Sequence, residues 1–114
     1  MHEFSIAMSI VEAVETEAKK AKAHSVSSLT LDIGTMAGIE FYALDTALDM
    51  AIKDTILDSA TITVNKITAK ATCNDCSFEF DIVEVTQLCS KCQGMFHTII
   101  SGKELKIRSI VVEE

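Results

Sequence analysis

Two Cys-x-x-Cys pairs, Cys73-Asn74-Asp75-Cys76 and Cys89-Ser90-Lys91-Cys92, stand twelve residues apart and use every cysteine in the chain. In each pair the two-residue gap lets both thiolates turn toward one ion, and two pairs supply the four soft donors of a tetrahedral zinc site. A shell closed by four sulfurs leaves no position for water, so such an ion organises its segment and hydrolyses nothing. Twin thioredoxin-like redox motifs would each need a helix N-terminus to lower a thiol pKa, and nothing in the sequence supplies two; iron is the alternative ion at this spacing. Structural zinc is the expectation, and it would staple a segment of about 25 residues that is too short for a core of its own. From Cys73 to His97 there are four acids (Asp75, Glu79, Asp81, Glu84) and one base (Lys91). Four thiolates around a divalent ion add further negative charge, so this lobe reads as protein-facing rather than nucleic-acid-binding.

Around the lobe, 114 residues leave room for one small domain. From Ser5 to about Ala23, Ile6, Ile10, Val14, Ala18 and Ala21 recur at helical spacing, with acids early and lysines late as the helix dipole favours. Leu29, Leu31 and Ile33 alternate with polar residues as a strand that Gly34 stops, and Gly34 to Gly38 is a connector. A second helix is expected over residues 40–54 from Phe41, Leu44, Leu48, Ala51 and Ile52. A second strand follows over 62–71, and a third over 103–112 completes the sheet. Met8, Met36 and Met50 fall within these apolar patterns and read as core filler. The expected fold is α+β: a small mixed three-stranded sheet with two helices, plus an inserted zinc-ribbon-like four-cysteine lobe. The domains are residues 1–71 with 103–114, and residues 72–102.

The formal net charge of -7 disfavours phosphate backbones and anionic lipid as partners. The first twenty residues have no basic leader and are interrupted by Glu3, Ser5, Ser9, Glu12 and Glu15, so no secretion signal or membrane span is expected. The cysteines are then reduced thiols in a cytoplasmic protein. No catalytic constellation stands out: Ser101 and Ser109 lack histidine and acid partners, and no glycine-rich loop cradles phosphate.

The start of the chain, Met1-His2-Glu3, is a chelate in its own right. The terminal amine of Met1 and the His2 amide nitrogen close a five-membered ring on a metal; the same amide and the imidazole Nδ1 close a six-membered one. Three nitrogens in one plane suit nickel or copper rather than magnesium or calcium. The fourth position is left to the Glu3 carboxylate or amide, to water, or to a residue from elsewhere.

With these pieces placed, the chain resembles the HypA/HybF family, nickel metallochaperones of [NiFe]-hydrogenase maturation. The resemblance rests on four features in order: Met1-His2-Glu3-Phe4-Ser5-Ile6-Ala7, the strand end Leu31-Asp32-Ile33-Gly34, the two cysteine pairs, and the closing Ile100-Ser101-Gly102-Lys103-Glu104-Leu105-Lys106-Ile107. It implies a non-enzymatic carrier of Ni(II), with His2 as nickel ligand and Glu3 beside it. It also implies structural Zn(II) on Cys73, Cys76, Cys89 and Cys92. The implied partners are the maturation GTPase HypB and the hydrogenase large-subunit precursor, and in some organisms urease maturation as well.

Two departures from the family pattern bear on this. Members often carry proline within a knuckle and glycine just after it, whereas this chain has no proline, and Ser77 and Gln93 follow the knuckles with Gly94 one step later. That predicts a lobe that holds zinc but exchanges it more readily. His97, close after the second knuckle, is either a further nickel donor or a surface histidine. The competing functional class is a zinc-ribbon adaptor with an inert amino terminus.

Overall fold

The computed structural model describes residues 2–113. In chain order it contains α1 (His2–Lys20), β1 (Ser25–Gly34), α2 (Phe41–Ala51), β2 (Thr61–Ile67), β3 (Lys70–Cys73), β4 (Glu79–Asp81), β5 (His97–Ser101) and β6 (Leu105–Glu113). Two three-stranded sheets result, in the orders β2-β1-β6 and β4-β3-β5. The chain divides into two compact units, one of Met1–Leu31, Ile39–Val64 and Ile107–Glu114, the other of Asp32–Gly38 and Asn65–Lys106.

The first sheet is mixed. The Val26 N–H donates to Ile56 O and the Thr35 N–H to Ile67 O, so β1 and β2 advance together. The His24 N–H donates to Glu113 O and the Gly34 N–H to Glu104 O, so β6 runs the other way. α2 is the crossover that a parallel pair requires. The first unit buries Ala7, Ile10, Val11, Val14 and Ala18 of α1 and Leu44, Ala47, Leu48 and Ala51 of α2, with Leu29 and Leu31 of β1. α1 ends where Lys22 turns left-handed (φ 57) and the Ala23 N–H reaches back to Ala18 O at 3.0 Å.

Three expectations are corrected. The second strand does not run on to residue 71: it stops at Ile67, and the chain re-enters the second sheet as β3. The break falls where Ala69 is fully buried and the Gly102 backbone crosses so closely that a Cβ there would lie 2.3 Å from the Ala69 Cα. Nor does the cysteine segment lack a core, since Ala69, Ala71, Cys73, Phe80, Ile82 and Cys89 form a buried cluster with Met36 packed against it. Met8 and Met50 are not core filler, being 46% and 57% exposed.

Gly34 ends β1 for a steric reason. A Cβ at this position would sit 1.9 Å from Gly102 O, so only a residue without a side chain lets the two segments pass.

Candidate metal centres

The four sulfurs of Cys73, Cys76, Cys89 and Cys92 lie within 4.8 Å of one another. The Cys73–Cys92 pair is 3.6 Å apart and the Cys76–Cys89 pair 3.7 Å. A tetrahedron with zinc–sulfur bonds of about 2.3 Å has edges of about 3.8 Å, so the donor set fits an ion such as zinc with little rearrangement.

Both knuckles are built by the same turn. The Cys73 N–H donates to Phe78 O and the Cys89 N–H to Gly94 O; the Ser77 and Gln93 N–H groups return to Cys73 O and Cys89 O. Ser77 and Gln93 occupy the left-handed position at φ 66 and 65, where the family's glycine would be unstrained. In each turn a backbone N–H two residues on, from Asp75 or Lys91, points at the first sulfur at 3.4 Å.

Crowding four thiols splits their titration. The Cys92 N–H holds the Cys89 thiol down at about 7 despite desolvation. At Cys92 the Gly94 N–H favours the thiolate, but the sulfur contacts with Cys76 and Cys73 prevail and push the thiol up to about 12. The cluster sheds its protons as one system, and the last of them needs a cation in their midst.

At the other end of the sequence, His2 opens α1 with its side chain 67% exposed. Amides of the first helical turn have no intrahelical acceptor, so the His2 and Glu3 nitrogens are not committed to the helix. Glu3 is far less free. Its Oε2 accepts the Glu40 N–H at 3.3 Å and lies 3.8 Å from His2 Nδ1, a distance for charge rather than for a hydrogen bond. The Glu40 N–H is the main reason the Glu3 carboxyl titrates below its ordinary value, helped by its own backbone and by His2. Glu40 in turn caps α2, its Oε2 accepting the Tyr42 and Ala43 N–H groups. The sequence reading missed Glu40; the available signal was an acid directly before a helical apolar pattern. Met1, the first member of the expected chelate, lies outside the described residues.

His97 is not one of the four-sulfur group. Its Nε2 donates to Val85 O at 2.9 Å, which fixes the tautomer, and its ring meets the Phe80 edge at 6.1 Å between centroids. Nδ1 is buried without a hydrogen-bond partner among the described residues. The ring packs the lobe instead of standing free on its surface.

The profile of the family described as "Hydrogenase/urease nickel incorporation, metallochaperone, hypA" matches residues 1–112. The chain belongs to the HypA family. It is 40% identical over 114 residues to hydrogenase maturation factor HypA of Parabacteroides distasonis, covering 100% of this chain and 99% of that one. The HypA of Chlorobium limicola is 38% identical over 114 residues, covering 100% and 98%. The fold is that of the solution structure of the nickel metallochaperone HypA from Helicobacter pylori, with a TM-score of 0.67 at 22% identity and 97% of each chain covered. A second HypA solution structure gives 0.70 at 24% identity, covering 98% and 96%.

Within this HypA chain, Gly94 has a role separate from turn formation. A Cβ there would lie 2.5 Å from an Asp75 carboxylate oxygen and 3.2 and 3.3 Å from the Cys92 and Cys73 sulfurs. The carboxylate can swing away, but sulfurs pinned by a metal cannot. Gly94→Ala is expected to weaken metal retention about tenfold, as loss of outer-shell support commonly does. Chelator competition would read this, and an unchanged half-point would show that the knuckle absorbs the methyl group.

Proposed function

We propose that this HypA protein is a cytoplasmic nickel carrier and not an enzyme. Ni(II) binds through the Met1 amine, the His2 amide nitrogen and the His2 Nδ1, with Glu3 beside them, and passes to the [NiFe]-hydrogenase large-subunit precursor with the GTPase HypB as partner. Urease maturation is the second destination that the family's description covers. Neither nucleic acid nor membrane takes part. The nickel site belongs to the unit of residues 1–31, 39–64 and 107–114. The unit of residues 32–38 and 65–106 is the zinc-binding one, where Cys73, Cys76, Cys89 and Cys92 hold a structural Zn(II) that shapes the lobe.

The observation that carries the reading is His2 in the first turn of α1, its ring exposed and its amide outside the helical hydrogen-bond ladder. An open chelate of this kind suits a protein that must release its cargo. The test is a nickel titration of zinc-loaded protein with a free amino terminus beside the same protein acetylated there, which removes the amine donor. One equivalent should bind to the first, with the visible absorption of planar nickel, and none at the same site in the second. Equal binding would favour the zinc-ribbon adaptor.

Nickel must displace protons from its nitrogen donors, so affinity should fall by at least about tenfold between pH 7.5 and pH 5.5. Glu3, held below the ordinary carboxylate range by the Glu40 N–H, stays ionised through that window. The loss therefore belongs to the nitrogens, and acid favours release. A flat affinity across this range would rule the donor set out.

A further inference from the structure

The strongest unassigned feature is an apolar groove between the two helices of the first unit. Phe4 of α1 and Tyr42, Ala43, Thr46, Ala47 and Met50 of α2 line about 490 Å³, and none of them carries a charge. Tyr42 is 78% exposed and Met50 57%. Scattered exposed apolar residues are ordinary, but these are contiguous: Tyr42, Thr46 and Met50 follow one another at four-residue steps along a single stripe of α2. Tyrosine and methionine are also the residues that binding surfaces favour, the first for its rigid amphipathic ring and the second because its thioether adapts to what it meets.

Charge selects the occupant. Asp45 and Asp49, one turn apart and both exposed, run along the neighbouring stripe of α2, and the helix from Phe41 to Ala51 contains no lysine or arginine. A second copy docking here would bring these acids toward their own counterparts, and an anionic lipid surface meets the same repulsion. A segment with leucine-like side chains on one face and lysines or arginines flanking them meets neither obstacle.

We infer that the α1–α2 groove is a docking site for a basic amphipathic helix of a partner protein, its apolar face entering beside Tyr42 and Met50 and its cations facing Asp45 and Asp49. The inference goes beyond the nickel reading, since the groove can be filled whether or not His2 holds an ion.

The probe is a synthetic leucine–lysine amphipathic peptide titrated into the zinc-loaded full chain and followed by backbone amide shifts. Shifts should concentrate at Phe4, Tyr42, Thr46 and Met50. Met50→Ser, and separately Asp45→Asn with Asp49→Asn, should each weaken binding about tenfold, while a leucine–glutamate peptide of the same pattern should bind at least about tenfold more weakly than the lysine one. All three positions are exposed, and unchanged shifts elsewhere would show that the variants fold. Four results would overturn the inference: shifts scattered over other acidic surfaces; affinity indifferent to Met50→Ser; self-association that Met50→Ser abolishes, which would make the occupant a second copy; or binding to phosphatidylglycerol vesicles that the same variant abolishes.

Discussion

Nickel affinity is expected to fall at least about hundredfold, equivalent to about 2.7 kcal/mol, when His2 is replaced by alanine. The substitution deletes the imidazole donor and opens the six-membered chelate ring, leaving the amine and one amide nitrogen, a set that holds nickel poorly without a third nitrogen in the plane. Stability should be untouched within about 0.5 kcal/mol, because the side chain is two-thirds exposed. Glu3 offers the contrasting case. Its Oε2 already receives the Glu40 N–H, and Glu40 caps α2, so the carboxylate ties the first turn of α1 to the start of α2. Glu3→Gln keeps an oxygen that can accept the same N–H and should lose little nickel affinity if Glu3 only positions; a loss comparable to that of His2→Ala would make the carboxylate a ligand. Calorimetry on His2→Ala, Glu3→Gln and the parent separates the two roles. If His2→Ala binds nickel as the parent does, the amino terminus is not the cargo site.

What could be read from the sequence depended on how local the determining geometry is. The cysteine pairs were legible because a two-residue gap and one repeated turn settle where the sulfurs point, whatever the rest of the chain does. The helices and the mixed sheet followed from periodicity, and the family motif at Leu31–Gly34 has a steric cause in the passage of Gly102. The exit from β2 was not legible. Residues 62–71 alternate well enough to pass for one strand, and only the close approach of Gly102 to Ala69 shows why the chain changes sheets there. Met8 and Met50 were misplaced because periodicity assigns a residue to a face without saying whether anything covers it. Glu40 was overlooked although an acid directly before α2 announces the cap, because the contact that brings it to the amino terminus, its N–H to Glu3, has no sequence spacing to announce it.

Removing the ion from the four-sulfur site is expected to unfold the cysteine lobe while leaving α1, α2 and β1 protected. The apolar cluster behind the sulfurs is small, and two of its six buried members, Cys73 and Cys89, are themselves ligands of the proposed zinc. A structural zinc contributes about 10–16 kcal/mol of apparent binding free energy in zinc-finger peptides, more than a cluster of this size can replace. Without a cation the sulfurs also stop being compatible neighbours. Cys89 ionises near neutral pH, whereas Cys92 resists ionisation because of the sulfurs beside it, and thiolates a few ångströms apart then repel one another. Amide exchange after treatment with a strong chelator should therefore show protection lost at Ala71, Phe80 and Ile99 and kept at Leu29, Leu31 and Leu44. Cys89→Ser should reproduce the pattern, since it removes a buried donor that a Lys91 N–H already supports. Protection that survives chelation in β3 and β5 would mean that Phe80, Ile82 and Met36 hold the lobe unaided. The metal would then be a passenger there, and a structural role for zinc in this carrier would have to be abandoned.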